Sequence, residues 1–294
     1  MTRPLYVEGM HGLGDNIMQR ALIRRLAASE PEIFLRTPWP ELYADLPNVW
    51  PVRSQTSLRT QAQNERRSRA EWVSRPARAR VKRVRYGDRP EPMMASMERH
   101  LGLEHQVGPI LMDLPPLPTV TVRTLGMPIA LVRPVTIRRE WQNESRNPLP
   151  EYVNRAAERL ARTHFVIAIA DLADGEEWLA GPLPVCDMTL LRGELTAMEA
   201  LALLAQARVV VGGVGWIVPA ALAAGTPAFI YLGGNGGYNS PRQLIDPRVD
   251  LGNVGFSTPD RFCLCKAKAH PCDKRIRDPI GDLERWAATK GIPL

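Results

Sequence analysis

The 294-residue chain reads as an α/β protein of two Rossmann-like, doubly wound domains facing each other across a cleft. Three observations predict this. The length exceeds what one hydrophobic core normally fills, so two domains of about 120 to 170 residues are expected. Short apolar runs alternate with helical patterns in two successive series, as parallel sheets require. Each series also holds a glycine-rich strand-to-helix junction, "YVEGMHGLGDNIMQRALIRRLA" (6–27) and "VVVGGVGWIVPAALAAGTPAFIYLGGNGGYN" (209–239). Open sheets of this kind bind ligands beyond the carboxyl ends of their strands.

In the first series, residues 3–8 read as a buried strand. From Asn16 the apolar positions Ile17, Met18, Ala21, Leu22 and Leu26 fall on one helical face. "EIFLR" (32–36) and "NVWPV" (48–52) are short strands flanking a proline-bracketed loop. "PMMASMERHLGL" reads as a helix ending at Gly102, and "PILMDLPPLPTVTVRTLGMP" as an extended proline-rich link. The second series begins with the strand "IALVRP" (129–134). It continues with a helix from about Pro150 to Ala161, the strand "HFVIAIAD" (164–171), a helix near "GEEWLAG" and the helix "TAMEALALLAQA" (196–207). The strand "RVVVGG", a helix from about Trp216 to Ala224 and the strand "PAFIYLGG" (227–234) complete it.

Composition narrows the function classes. No apolar run approaches the ~20 residues of a membrane-spanning helix, and "MTRP" leads directly into a strand rather than a secretion signal, so a cytoplasmic protein is expected. Four cysteines do not make a disulfide framework. The net charge of +7 is concentrated: between Arg59 and Arg89 eleven basic residues face three acids, a local excess of eight, and the remainder is close to neutral. Such a run is either a solvated face or a surface for a polyanion, which could be a phosphorylated glycolipid, an anionic membrane touched peripherally, or nucleic acid.

Several residues carry candidate chemistry. Gly9, Gly12 and Gly14 space as G-x-x-G-x-G, which is not the dinucleotide fingerprint, and Asp15 stands where it can cap the helix or present a carboxylate to a substrate hydroxyl. His11 and Glu8 are reserve bases in the same loop. Gly212, Gly213 and Gly215 let backbone approach a ligand, and the helix that follows offers unpaired N–H groups to a phosphate; the same glycines also suit a compact turn. Arg138 and Arg139 follow the first strand of the second series, and their planar forks suit a diphosphate. Cys263, Cys265, His270 and Cys272 offer a zinc ligand set in an uncommon spacing, or reduced thiols. There is no G-x-S-x-G, no Walker lysine, no H-E-x-x-H and no D-x-D to announce a metal-held nucleotide sugar.

In order along the chain, "GLGDNIMQRALIRRLAASEPEIFL", "MERHLGLEHQVGPILMDLPP", "ALVRPVTIRREWQNESRNPLPEYVNRAAERL", "IADLADGEEWLAG" and "GELTAMEALALLAQARVVVGGVGWIVPAALAAGTPAFIYLGG" resemble the heptosyltransferase family. These are inverting glycosyltransferases of family 9 and GT-B fold that build the inner core of lipopolysaccharide. The resemblance implies an acceptor-binding domain at 1–125, a nucleotide-sugar-binding domain at 126–275, and a C-terminal helix at 276–294 packing back toward the first domain.

It further implies metal-independent transfer of a sugar from a nucleotide diphosphate, ADP-linked by family habit, to an acceptor hydroxyl, with Asp15 as base. Arg138, Arg139 and the glycine loop at 212, 213 and 215 would bind the diphosphate, and Glu176 or Glu177 the ribose. The chain departs from the family pattern at Gly213, Val214, Gly215, Trp216 and Pro219, where an Asp, small or hydroxyl residues and a His are usual. Two other readings therefore stand beside a lipopolysaccharide acceptor: glycosylation of nucleic acid, such as a modified phage DNA base, and a non-catalytic sugar-nucleotide or polyanion-binding protein of the same fold.

Overall fold

The computed structural model describes residues 3–103 and 108–294, and residues 104–107 of the family-like stretch "MERHLGLEHQVGPILMDLPP" lie outside them. The chain divides into two compact units. One comprises residues 1–117 with Ile245–Asp250, the other Pro118–Leu244 with Leu251–Leu294.

The first unit contains β1 (Leu5–Glu8), α1 (Leu13–Ala27), β2 (Ile33–Arg36), β3 (Val49–Val52), α2 (Arg59–Arg67), β4 (Arg80–Arg83) and α3 (Met93–His100). Its four strands are parallel in the order β3-β2-β1-β4. Leu5, Val7, Ile33 and Leu35 from the sheet pack with Ile17, Leu22 and Ile23 of α1 and with Met94 and Met97 of α3 in the buried core. The arginine-rich run is not a featureless loop. It contributes α2 and the edge strand β4, which pairs with β1 from Leu5↔Arg80 to Glu8↔Arg83. "RVKR" shows no apolar alternation because an edge strand needs little burial, and its charges discourage pairing with another chain.

Residues 245–250 join this unit because Glu98, 3% exposed, needs cationic partners. Arg248 meets it at 2.7 Å and Arg25 at 2.9 Å, and the Ile110 N–H donates to the Arg248 carbonyl at 3.0 Å.

The second unit contains β5 (Ile129–Arg133), β6 (Thr136–Arg138), α4 (Pro150–Leu160), β7 (Phe165–Ile169), β8 (Glu177–Leu179), β9 (Met188–Leu190) and α5 (Ala197–Gln206). These are followed by β10 (Val209–Gly213), α6 (Ile217–Ala224), β11 (Ala228–Tyr231), α7 (Gly236–Asn239), α8 (Pro241–Leu244), β12 (Val254–Ser257) and α9 (Pro279–Thr289). Six parallel strands run in the order β12-β11-β10-β5-β7-β9, and β6 and β8 form a separate antiparallel ribbon. α5 starts in a capping box: Thr196 accepts from the Glu199 N–H while the Glu199 carboxylate accepts from the Thr196 N–H.

Two expectations are corrected. The helix expected near "GEEWLAG" is the strand β8, because Glu177 alternates inward to meet β6 while Trp178 points outward. The sequence division after residue 125 gives way to a crossing before Pro118 and a return at 245–250. The C-terminal helix belongs to the second unit, where Leu283 and Ala287 of α9 bury in the core with Val153, Val209 and Phe229. No helix among the described residues is long and apolar enough to cross a membrane.

Candidate active site

In the first unit the loop after β1 is held from beneath. The Gly9 N–H donates to the Arg36 carbonyl at 3.1 Å, and a Cβ at position 9 would lie 2.7 Å from that oxygen, so only glycine fits. The fully buried amides of Asn16 and Gln19 then fix the loop. Asn16 Nδ2 donates to the Met10 and Gly12 carbonyls at 2.8 Å each, and the Met10 N–H donates to Gln19 Oε1 at 2.9 Å. Thr37 Oγ1 donates to Asn16 Oδ1 at 2.7 Å, and Trp39 Nε1 to the His11 carbonyl at 2.8 Å. A satisfied polar network of this kind makes a rigid platform.

Asp15 sits on that platform, but not as the helix cap. Gly12 is the N-cap residue and Asp15 belongs to the first turn. Its carboxylate folds over Gly12, where a Cβ would lie 2.6 Å from Oδ2, and the Tyr86 hydroxyl donates to Oδ1 at 3.1 Å. The first turn of a helix favours a carboxylate through the macrodipole. The reserve bases are placed differently. Glu8 pairs with Arg83 at 2.7 Å across β1 and β4. Burial, then the charge of Arg36, lowers the His11 pKa, so its ring is neutral near pH 7. Beside β4, Arg75, Lys82, Arg83, Arg85 and His100 line a cavity of about 440 Å³, and Arg75 lies over the Tyr6 ring.

In the second unit the sequence-selected residues meet one another. Arg138 and Glu177 form an ion pair at 2.7 Å, and Thr136 Oγ1 donates to the second Glu177 oxygen at 2.9 Å, so the Glu177 carboxylate is engaged inside the ribbon. Arg139 and Glu176 are both exposed and meet at 3.4 Å. The residue that sequence reasoning missed is Arg133, at the carboxyl end of β5. Its Nη1 lies 3.4 Å from where a Cβ on Gly215 would stand, beside the glycine loop after β10. Among the described residues no salt bridge is formed by Arg133. Burial, opposed by Glu177 and reinforced by Arg146 and Arg138, pushes its pKa down to about 10, which leaves it cationic at neutral pH.

Arg133, Arg138 and Arg146 thus act on one another with Glu177, and with Glu140 3.9 Å from Arg138, near the glycine loop ahead of α6, where the Val218 N–H donates to the Gly215 carbonyl at 3.2 Å and Pro219 offers no N–H. The available signal was an arginine ending an apolar run at a strand terminus. Gly212 and Gly213 are required there by close packing, since a Cβ would lie 3.0 Å from the Arg133 carbonyl in one case and 2.9 Å from Pro148 in the other.

The second glycine cluster serves another purpose. A Cβ at Gly233 would lie 2.1 Å from the Asn147 carbonyl, one at Gly234 2.3 Å from Cys272 Sγ, and one at Gly237 2.8 Å from the Cys265 carbonyl. These glycines admit the cysteine loop. The candidate ligand atoms of Cys263, Cys265, His270 and Cys272 all lie within 4.8 Å of one another. Cys265 and Cys272 sulfurs are 3.5 Å apart, and His270 Nδ1 is 3.1 Å from Cys272 and 3.7 Å from Cys263. A tetrahedral zinc with Zn–S of about 2.3 Å has ligand edges of about 3.8 Å, so three thiolates and an imidazole at these separations fit such an ion.

No family profile and no curated protein sequence matches the chain. Solved structures do. The iron-containing dodecameric glycosyltransferase TibC of enterotoxigenic E. coli H10407 is 14% identical, with TM-score 0.61 over 98% of this chain and 77% of that one. The ADP-heptose lipopolysaccharide heptosyltransferase II of E. coli is 13% identical, with TM-score 0.52 over 98% and 99%. A family 9 glycosyltransferase of Veillonella parvula DSM 2008 is 9% identical, with TM-score 0.54 over 86% and 85%. TibC has also been solved in complex with ADP-D-β-D-heptose, and that structure matches with TM-score 0.60. The heptosyltransferase-like resemblance is met in the fold: the chain has the architecture of the GT-B glycosyltransferases.

Proposed function

We propose that the protein is a heptosyltransferase-like glycosyltransferase of family 9, moving a sugar from a nucleotide diphosphate to an acceptor hydroxyl with inversion and without a metal at the reacting centre. The observation that carries this reading is the arginine cluster of Arg133, Arg138 and Arg146 around Glu177, beside Gly212–Gly215. Set against Glu177 and Glu140, which lies 3.9 Å from Arg138, the three cations keep the pocket net positive, as an anionic phosphate group requires. The complex of TibC with ADP-D-β-D-heptose favours an adenosine diphosphate donor. With Glu177 engaged, Glu176 is the better placed of the two acids for a ribose hydroxyl, and Arg139 beside it is exposed enough to reach the donor.

In the reaction the acceptor oxygen forms a bond to the anomeric carbon as the bond from that carbon to the diphosphate oxygen breaks. The departing diphosphate takes the electron pair, and the guanidinium groups with the N–H groups of the glycine loop stabilise its charge. Asp15 receives the hydroxyl proton, and the hydrogen bond from Tyr86 helps hold its carboxylate in place; such base catalysis contributes ~10² to 10⁴ in rate. The basic cavity beside β4, on the strand that leads to Tyr86, favours an acceptor bearing phosphate groups, with a lipopolysaccharide core in first place. The enzyme would work in the cytoplasm, in peripheral contact with an anionic membrane. Cys263, Cys265, His270 and Cys272 would hold a structural zinc.

The test is thermal unfolding with ADP, UDP, GDP, CDP and dTDP, each with and without magnesium. A ligand at 100 times its Kd stabilises the folded state by ~2.7 kcal/mol. One diphosphate raising the midpoint independently of magnesium is expected. No response to any of them would sink the donor site and leave a polyanion-binding protein.

A further inference from the structure

The cysteine segment is tied to the arginine pocket through Ser145, alongside Lys274, which donates to the Glu144 carbonyl, and Lys268, which lies over the Trp141 ring. Ser145, 2% exposed, donates its hydroxyl to the Lys268 carbonyl at 2.8 Å and accepts from the His270 N–H at 2.8 Å. Its own carbonyl accepts from the Gly234 N–H at 2.6 Å, and the next carbonyl, of Arg146, accepts from the Gly233 N–H at 3.2 Å. On the other side of the glycine turn, the Gly236 and Gly237 N–H groups donate to the Cys263 and Cys265 carbonyls at 2.8 and 3.0 Å. The 3-10 turn of residues 144–146, with Asn147 after it, therefore lies against the loop that carries the four candidate ligands. That turn carries Arg146 and leads into Pro148, the residue that packs on Gly213.

Residues 261–275 contain no helix or strand, and Leu264, Lys266, Ala267, Lys268 and Ala269 are exposed. Tyr152, which donates to the Lys274 carbonyl at 3.2 Å, and the lysines over Tyr238 and Trp141 hold the loop in part. A metal cross-link would offset more of its ordering entropy.

We propose that a thiophilic divalent cation bound by Cys263, Cys265, His270 and Cys272 braces the diphosphate pocket through Ser145, so that metal occupancy and nucleotide affinity are thermodynamically coupled. The inference rests on the diphosphate reading of the Arg133 pocket, and goes beyond it by making that pocket conditional on a remote ion. Coupling of this kind is reciprocal: the factor by which the metal tightens the nucleotide is the factor by which the nucleotide tightens the metal. Ser145 is a positioning residue, since it touches neither the ion nor the diphosphate.

The full-length protein would be stripped with a chelator and reloaded with zinc(II), or with cobalt(II) to read the thiolate-to-cobalt charge-transfer band of a tetrahedral site. Amide hydrogen exchange at 143–147 and 233–237 would then be compared between stripped and loaded protein, with no nucleotide present. Slower exchange in both segments on loading is expected, and unchanged exchange there would overturn the brace. Calorimetric titration with ADP and with inorganic pyrophosphate follows, and loaded protein should bind at least ten-fold more tightly than stripped protein. Equal affinity in the two forms would overturn the coupling. If exchange slows but neither anion binds in either form, the diphosphate reading of the pocket has failed and the coupling with it, while the metal brace stands. Ser145→Ala should keep the cobalt spectrum and one ion per chain but lose the ten-fold difference; if it keeps the difference, Ser145 is not the connection. A chain that takes up no stoichiometric metal and gives no charge-transfer band would overturn the whole inference.

Discussion

Arg138 and Glu177 meet at 2.7 Å across the β6-β8 ribbon, with the Glu177 side chain 2% exposed and a second hydrogen bond reaching it from Thr136. The pair turns two residues that sequence reasoning assigned separately to phosphate and to ribose into a single internal contact. Glu177→Gln keeps the shape but leaves the arginines without their counter-charge. A loss of ~1–3 kcal/mol is expected, the range for disrupting a buried charged hydrogen bond, together with stronger stabilisation by pyrophosphate. Chemical denaturation with and without pyrophosphate checks both.

Arg133→Met should leave the unfolding midpoint unchanged or raised, because a half-buried cation without a salt bridge is replaced by an apolar side chain of similar length. The same variant should lose the midpoint shift produced by a nucleoside diphosphate. Retention of that shift would move the donor phosphates away from β5.

Asp15→Asn is expected to lower kcat by ~10² to 10⁴ with the fold intact, since the amide keeps an oxygen for the Tyr86 hydroxyl but cannot take the proton. Tyr86→Phe should cost less, as it alters only the orientation of the carboxylate. Transfer assays on the nucleotide sugar identified by unfolding would separate the two, and full activity in Asp15→Asn removes it from the base role.

Buried Arg20 holds Asp45 at 2.7 Å and Asp113 at 2.8 Å. Its hydrogen bond lowers the Asp45 pKa below the ordinary carboxylate value. A depressed folded-state pKa means the stabilisation is present above the unfolded value, about 3.9, and is lost as pH falls through the folded one. Asp45→Asn should therefore be less stable than wild type at pH 6, and the gap should narrow as pH falls below 4. Urea denaturation at three pH values reads this directly, and a constant gap would contradict it.

Two glycines of the second unit should respond oppositely to alanine. Gly233→Ala drives a Cβ into backbone atoms of Arg146 and Asn147 that cannot give way, and a loss of ~3 kcal/mol or more is expected. At Gly215 the nearest obstacle, at 3.4 Å, is the mobile end of Arg133, so Gly215→Ala should fold normally and weaken diphosphate binding. Thermal midpoints of the two variants, with and without ADP, make the comparison.

Much of the architecture was legible locally. Runs such as "IALVR" and "VVVGG" announce buried parallel strands because both faces are covered, and the apolar spacing after Asn16 announces α1. The cysteines and the glycine junctions were visible by type alone. What the sequence could not supply was partnership. β4 was hidden because an edge strand carries no apolar period, and β8 because one inward glutamate resembles a helical acid until its mate is known. Glu177 and Arg138 lie 39 residues apart and are joined only by ribbon register. Arg133 looked like any arginine after an apolar run until tertiary packing put it beside Gly215. Patterns of burial repeat every two or about 3.6 residues and are written into the chain, whereas the pairing of charges is decided by which distant elements come together. By itself, then, the sequence determined the layers and their order; only the tertiary structure decided which cations remain available to a ligand, because each charge is spent or left over according to the neighbour that packing brings to it.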